Sequence, residues 1–289
     1  MSFDYALEMK LAKDSPKLHR IFSDNVMCCQ NILIKYKSLF PSYTDHTSLH
    51  SLEVISFCNE LVGDFVEELN CDEIFILLMA AYLHDAGMGI SKKDFDEFSE
   101  KIPGIAEYTK NHPDAEIDEV VREFHNEFSG KYIEKYKNLF DFPSEKHLFS
   151  VIQVSRGHRR TNLYDKDEYP KNLILENGNP VRLPYLASLI RLADELDIAA
   201  DRNIQFMYNV SLLPSEHSKR EFKKHQAIKN VEFAESSLVV TVDRSDKDIN
   251  PDLDRLFVKL GATLSECVKV VSDRTPFEIR QTKIETINI

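Results

Sequence analysis

Residues 72–89 read DEIFILLMAAYLHDAGMG. From Glu73 to Leu83 the apolar residues fall on nearly every side of a helical period, which predicts a helix enclosed by other elements rather than one lying on a surface. The run closes on His84-Asp85 and stops at Gly87 and Gly89, where the chain can turn. Two adjacent side chains do not share a helical face, so this doublet can serve one centre only where the helix ends and the backbone bends. A capping aspartate beside a core histidine is the plainer arrangement, but it leaves two polar groups in need of partners beneath an apolar helix.

Working outward, Leu49, Leu52, Ile55, Val62, Phe65, Val66 and Leu69 recur at helical spacing after Thr44-Asp45, a pair suited to capping. This predicts a helix with His50 in an early turn. Beyond the doublet a weaker amphipathic helix is predicted from Ser91, with Asp94 placed approximately for a capping box, and further helices over 114–140, 144–157 and 184–201. The proline-containing stretches KIPGIAEYTKNHPD (101–114) and TNLYDKDEYPKNLILENGNP (161–180) read as loops of the kind that rim active sites.

After Arg202 the pattern changes. Residues 231–233 and 237–242 are rich in β-branched and aromatic residues and predict a hairpin, 252–271 an amphipathic helix, and 277–289 a further strand. The fold class expected is mainly α, with a helical domain over 1–205 and a small α+β appendage over 206–289.

Lys and Arg number 36 against 48 Asp and Glu, a net charge of -12 that repels polyanions at long range, so no duplex nucleic acid is expected as a partner. A local basic pocket for one nucleotide is compatible with that balance. The five cysteines are odd in number and form no C-x-x-C pair, which points to a reducing cytoplasm rather than a disulfide framework. The start, MSFDYALEMKLAKDSPK, has acids among its bases and no apolar stretch, and nowhere is there an apolar run long enough for a membrane span. A soluble, unprocessed protein is the expectation.

Histidine and carboxylate are ligand types that divalent metals take. Besides His84-Asp85 they include His50 in TSLHSLEV and Asp194 in LIRLADELD, with Asp197 and Asp201 following on roughly the same face. Taken singly, His50 also reads as an exposed helix-start residue and Asp194 as part of a solvated acidic face, although LIRLADELDI is very apolar for that.

In this order and on helices, His50, His84-Asp85 and Asp194 resemble the H...HD...D signature of the HD superfamily of metal-dependent phosphohydrolases. HSLEV resembles its first-histidine helix, LMAAYLHDAG its doublet helix and RLADELD its last-aspartate helix, a likeness covering roughly residues 40–205. The chain is also similar to HD domains found beside heat-shock-type ATPases in bacterial conflict systems. The resemblance implies an all-helical core. In dinuclear branches, such as cyclic-dinucleotide phosphodiesterases and HD nucleases, further histidines between the doublet and the last aspartate bind a second metal; here His125 and His158 occupy that interval. Either could instead be a satisfied core or surface histidine. The GYP motif of one phosphodiesterase branch is replaced by GHRR, which argues against cyclic di-GMP, and Met88 stands where many relatives carry a lysine.

The chemistry expected is hydrolysis of a phosphoester, in a nucleotide or related small molecule, assisted by one or two divalent ions (Mn, Mg, Fe, Co, Ni or Zn) with Asp85 bridging a pair. Arg156, Arg159 and Arg160 around His158, and then Lys131, are the candidate phosphate binders, though a solvated face could equally carry them. His46, one turn before His50, is a candidate to orient it or to act as general acid, or else simply covers the helix end. The run Lys219-Arg220 with Lys223-Lys224 reads as solvated surface. A single-strand nuclease, a non-catalytic nucleotide-binding module signalling through the C-terminal appendage, and a scaffold with structural histidines are the alternatives. A homo-oligomer or a protein partner at the appendage is a further expectation.

Overall fold

The computed structural model of the chain describes residues 5–35, 48–198 and 216–289. Its helices and strands run in the order α1 (Ala6–Asp14), α2 (Pro16–Leu33), α3 (Ser48–Val62), α4 (Cys71–Leu83), α5 (Lys92–Ser99), α6 (Ile105–Asn111), α7 (Ile117–Lys135) and α8 (Glu145–Arg156). There follow β1 (Leu173–Ile174), β2 (Pro180–Val181), α9 (Leu183–Leu196), α10 (Glu216–Ala227), β3 (Ile228–Phe233), β4 (Ser237–Val242), α11 (Asn250–Arg274) and β5 (Lys283–Asn288). The fold is mainly α with a small C-terminal sheet.

The apolar run decides the architecture as its pattern predicts. Every residue of α4 from Asp72 to Leu83 is buried, and α1, α2, α3, α8 and α9 pack around it. Its start is fixed by Asn70, whose side chain accepts from the Asp72 and Glu73 amides while the Glu73 carboxylate accepts from the Asn70 amide. A cap of this kind contributes about 1 kcal/mol. Two buried acids at this end are expensive unless paired. Glu73 accordingly pairs with Arg182, and Asp72 accepts from His147 (2.8 Å), Asn177 (2.9 Å) and Asn179 (2.7 Å). These bonds tie α8 and the β1–β2 hairpin to the head of α4.

Several boundaries differ from the sequence pattern. The stretch 101–114 contains α6, entered through Gly104 in the left-handed region (φ 90°) and held by buried Ile105 and by Tyr108 against Phe124. A helix of seven residues carries too few apolar positions to show a period. The stretch 161–180 contains β1 and β2, paired antiparallel around Gly178 (φ 87°). Ser91 and Asp94 form a complete capping box. The helix expected over 114–140 is kinked at Phe124 (φ -114°, ψ 16°), and the one expected over 184–201 closes at Leu196. Thr44, Asp45, His46 and Asp201 lie outside the described residues.

In the C-terminal region β3 and β4 pair antiparallel and β4 and β5 pair parallel, giving the order β3-β4-β5 with α11 as the crossover. The run expected as solvated surface lies on α10, where Arg220 pairs with Asp252, Lys223 with Asp246 and Lys224 with Glu221. α11 packs along α9, and its Leu253, Leu260, Leu264 and Cys267 belong to the same buried apolar cluster as α4. This contact braces α9, the helix that carries Asp194. Among the described residues no single helix is long and apolar enough to cross a membrane.

Candidate metal centre

Five side chains that would ordinarily seek water are instead in the interior: His50 is 2% exposed, His84 0%, Asp85 3%, His125 7% and His158 1%. Each sits where helical geometry starts, breaks or ends. His50 is in the first turn of α3 and His84 caps the C-terminus of α4, with Asp85 already off helical geometry (φ -102°, ψ 8°). His125 follows the Phe124 kink of α7, and His158 lies just beyond the Gly157 cap of α8. Asp194 comes from the last turn of α9 and its side chain is 21% exposed, so it stands on the solvent side of the cluster.

The rings line up His50, His84, His158, His125, with successive centroids 5.0, 4.9 and 4.9 Å apart. His50 Nε2 lies 3.0 Å from His84 Nε2, and His158 Nε2 lies 2.8 Å from His125 Nε2. Asp85 divides its carboxylate between the two pairs. Its Oδ2 is 3.4 Å from both His50 and His84 Nε2, while its Oδ1 is 3.4 Å from His125 Nε2 and 3.9 Å from His158 Nε2. Asp194 Oδ1 completes the first group at 3.2 Å from His50 Nε2 and 3.7 Å from His84 Nε2. The donor atoms thus form two sets, His50-His84-Asp85 and Asp85-His125-His158, each compact enough to hold one cation.

The outer nitrogens decide what the inner ones can do. His84 Nδ1 donates to the Ala81 carbonyl (2.9 Å), His125 Nδ1 to the Arg122 carbonyl (2.7 Å) and His158 Nδ1 to the Ser155 carbonyl (2.5 Å). In all three the acceptor lies three residues earlier, a geometry that the helix ends and the kink supply. His50 Nδ1 faces Asp197 Oδ2 at 2.5 Å. A neutral imidazole with its proton on Nδ1 has a lone pair on Nε2. Lone pairs facing one another at 2.8–3.0 Å repel unless a proton or a cation lies among them. The arrangement therefore suits a divalent cation, with carbonyls and a carboxylate orienting the rings from behind.

Without a cation, one proton does part of that work. Burial acts to lower the His84 pKa, but the charge of Asp85 and hydrogen bonds with Asp194 and Asp85 prevail and lift it to about 9. Burial and the nearby His84 charge push His158 down to about 4, and burial together with Arg159 pushes His125 well below its ordinary value. For Asp194, burial acts to raise the pKa, yet hydrogen bonds from His50 and His84 hold the carboxylate well below the usual range.

Two glycines allow the helices to meet this closely. A Cβ on Gly87 would lie 2.4 Å from the His125 carbonyl oxygen and 2.5 Å from the Ser129 nitrogen, both backbone atoms of α7. The Gly87 amide also donates to Ser129 Oγ (2.8 Å). A Cβ on Gly157 would meet Ala187 Cβ at 2.6 Å, so the end of α8 lies directly on α9. The glycines after the doublet are legible as a turn, whereas the contact of Gly87 with α7 is long-range and leaves no local trace.

The basic residues expected around the cluster divide. Arg159 Nη1 donates to the Arg122 carbonyl (2.9 Å) and lies 3.2 Å from His125 Nδ1, against the cluster itself. Arg156 is engaged by Glu127, Glu168 and Gln153, Arg160 by Glu123, and Lys131 by Glu134. A phosphate at any of those three cations would have to displace a carboxylate. His46 lies outside the described residues. Of Glu53, Asp197 and Asp201, the acids that the sequence offers equally as supports for the ligands, Asp197 is the one whose contact with His50 Nδ1 the structure shows.

The HD-CE family model matches residues 40–274, a span that includes every residue of the centre. No curated protein and no solved structure matches the chain.

Proposed function

The chain belongs to the HD-CE family, and from that premise we propose that it is a metal-dependent phosphohydrolase acting on a nucleotide or a related small phosphoester. One observation carries the reading: four imidazole Nε2 atoms converge on two carboxylates inside the protein, with their tautomers set from outside the cluster. His50, His84, Asp85 and Asp194 would hold one cation and His125, His158 and Asp85 a second. Such ions supply Lewis acidity toward water and toward a phosphoryl oxygen. So many imidazoles favour Mn, Fe, Co, Ni or Zn over Mg.

The side chains divide the remaining work. Asp85, offering one oxygen to each group, sets the spacing of the two sets. Burial of the histidines lowers the local dielectric and strengthens every charge interaction there. Substrate enters past Asp194, the more exposed carboxylate, and Arg159 supplies positive charge beside His125 for a non-bridging phosphate oxygen. The net charge of -12 supports a small substrate rather than a polynucleotide, and five free cysteines fit a reducing cytoplasm.

The test is elemental analysis of the purified protein together with a hydrolysis screen over nucleotides, cyclic nucleotides and a labelled oligonucleotide with each candidate metal. The expected result is bound metal and turnover of a small phosphoester, both lost in His84→Ala and Asp85→Ala. Full metal content and activity in either variant would refute the assignment. Tight nucleotide binding without turnover under any metal would identify a sensing module instead.

A further inference from the structure

Away from the metal centre, Arg274 occupies an unusual position at the last turn of α11. It is 8% exposed, and its Nη1 donates to the Leu163 carbonyl (2.6 Å) and the Asp165 carbonyl (3.3 Å). Among the described residues it forms no ion pair, although the Asp165 carboxylate is near enough for the two charges to interact, and its Nε and Nη2 make no hydrogen bond. The partial negative charge of the helix C-terminus offsets part of its charge, and the unbonded Nε–Nη2 edge is left for a ligand.

Arg274 lines a groove of about 440 Å3, together with Tyr164, Lys166, Pro170, Lys171 and Asp273. Lys166 and Lys171 form no ion pair among the described residues. The acids nearby are engaged: Asp273 accepts from Lys269 (2.5 Å) and Tyr164 (2.8 Å), and Asp165 Oδ1 accepts from the Asp167 and Glu168 amides. In a chain with twelve more acids than bases (48 against 36), the groove gathers three cations, none of them in an ion pair among the described residues.

We propose that this groove is a second ligand site, binding a phosphate-bearing small molecule. The Nε–Nη2 edge of a guanidinium presents two parallel donors that match two phosphate oxygens, and the lysines add charge for a polyanion rather than for a single carboxylate. The volume lies within the roughly 300–1,000 Å3 of small-molecule sites, and the Tyr164 ring and Pro170 give the rest of the ligand apolar walls. The segment 161–171 that forms one wall leaves directly from His158, and Arg191 joins its start to the α8 end by donating to the Thr161 and Gly157 carbonyls. The groove shares no residue with the metal centre.

The experiment is a calorimetric titration of pyrophosphate into the full chain dialysed free of metal, at low ionic strength, with citrate as a non-phosphate polyanion. The expected result is saturable pyrophosphate binding, weakened roughly tenfold or more in the Lys166→Ala/Lys171→Ala variant. Both lysines are exposed, so that variant folds normally; Arg274→Lys, which keeps charge but loses the paired donors, weakens binding as well. No binding to the wild-type chain, equal affinity in the double-lysine variant, or equal affinity for citrate would overturn the proposal. Loss of binding in Arg159→Ala with none in the lysine variant would also overturn it, by placing the anion at the metal centre. Because no metal or turnover enters this assay, its outcome is independent of whether the protein proves to be a phosphohydrolase.

Discussion

Replacing Gly87 by alanine tests whether the metal centre depends on the backbone contact between the doublet turn and α7. The added Cβ would sit 2.4 Å from the His125 oxygen, 2.5 Å from the Ser129 nitrogen and 2.8 Å from the Phe128 carbonyl carbon. All three are backbone atoms, so no side-chain rotation relieves the clash. Restoring ordinary van der Waals separation requires α7 to move by about 1 Å. Overpacking of this kind costs about 1–3 kcal/mol, and weakening the buried bond from the Gly87 amide to Ser129 adds about 1 kcal/mol. The expected fall in unfolding temperature is about 3–7 °C. The movement also separates His125 from Asp85, now 3.4 Å apart, while leaving His50, His84 and Asp194 in place. Calorimetric unfolding and the metal-to-protein ratio after extensive dialysis are the readouts, and the ratio should fall without vanishing. Gly261→Ala is the control: it lies within α11 with open space around its Cβ position, so it should leave metal content unchanged and raise stability by up to about 1 kcal/mol. Wild-type unfolding and full metal content in Gly87→Ala would show that the contact does not set the geometry of the centre.

Asp197→Asn keeps the size of the side chain facing His50 Nδ1 but removes its charge; metal affinity measured by competition with a chelator should drop roughly 10–100-fold with the unfolding temperature little changed. Metal binding should also release protons. His84, with its pKa raised to about 9 in the metal-free protein, is protonated at neutral pH and must lose that proton to become a ligand, whereas His158, near 4, is already neutral. Apparent metal affinity should therefore climb by roughly tenfold per pH unit toward pH 9 and level off above it. Affinity that is flat across this interval would contradict the protonated state of His84. Outside the centre, burial acts to raise the Asp72 pKa, but hydrogen bonds from His147, Asn179 and Asn177 lower it from 3.8 to about 2. A folded-state pKa below the unfolded one stabilises the protein above the unfolded value, and this contribution, about 2 kcal/mol, disappears as pH falls from about 4 toward 2. Asp72→Asn should lose that contribution at neutral pH and show a shallower acid-unfolding profile in urea titrations.

What could be read from the sequence, and what could not, follows from the range of the interactions involved. The buried α4 and its terminal doublet declare themselves because burial on all sides and an abrupt glycine stop are properties of one contiguous segment. The hairpin, helix and strand after residue 216 are legible for the same reason, since alternation and amphipathic spacing are local. α6 is not, because a seven-residue helix held by Ile105 and Tyr108 depends on Phe124, a residue from another element. The same distinction separates the site residues. His84 and His158 stand at helix ends that the sequence marks with glycine, whereas His125 lies within a continuous helical pattern, and only the break at Phe124 brings its Nδ1 to the Arg122 carbonyl. The arginines beside His158 look alike in the one-dimensional string. Their counter-ions, Glu123, Glu127 and Glu168, lie on α7 and in the loop after α8, so only the folded chain shows Arg156 and Arg160 already paired and Arg159 against the cluster. The ligand types are thus a property of the sequence, while their tautomers are a property of the fold. Three histidines acquire the same inward-facing Nε2 because each donates to the carbonyl three residues before it, at places where a helix bends or stops.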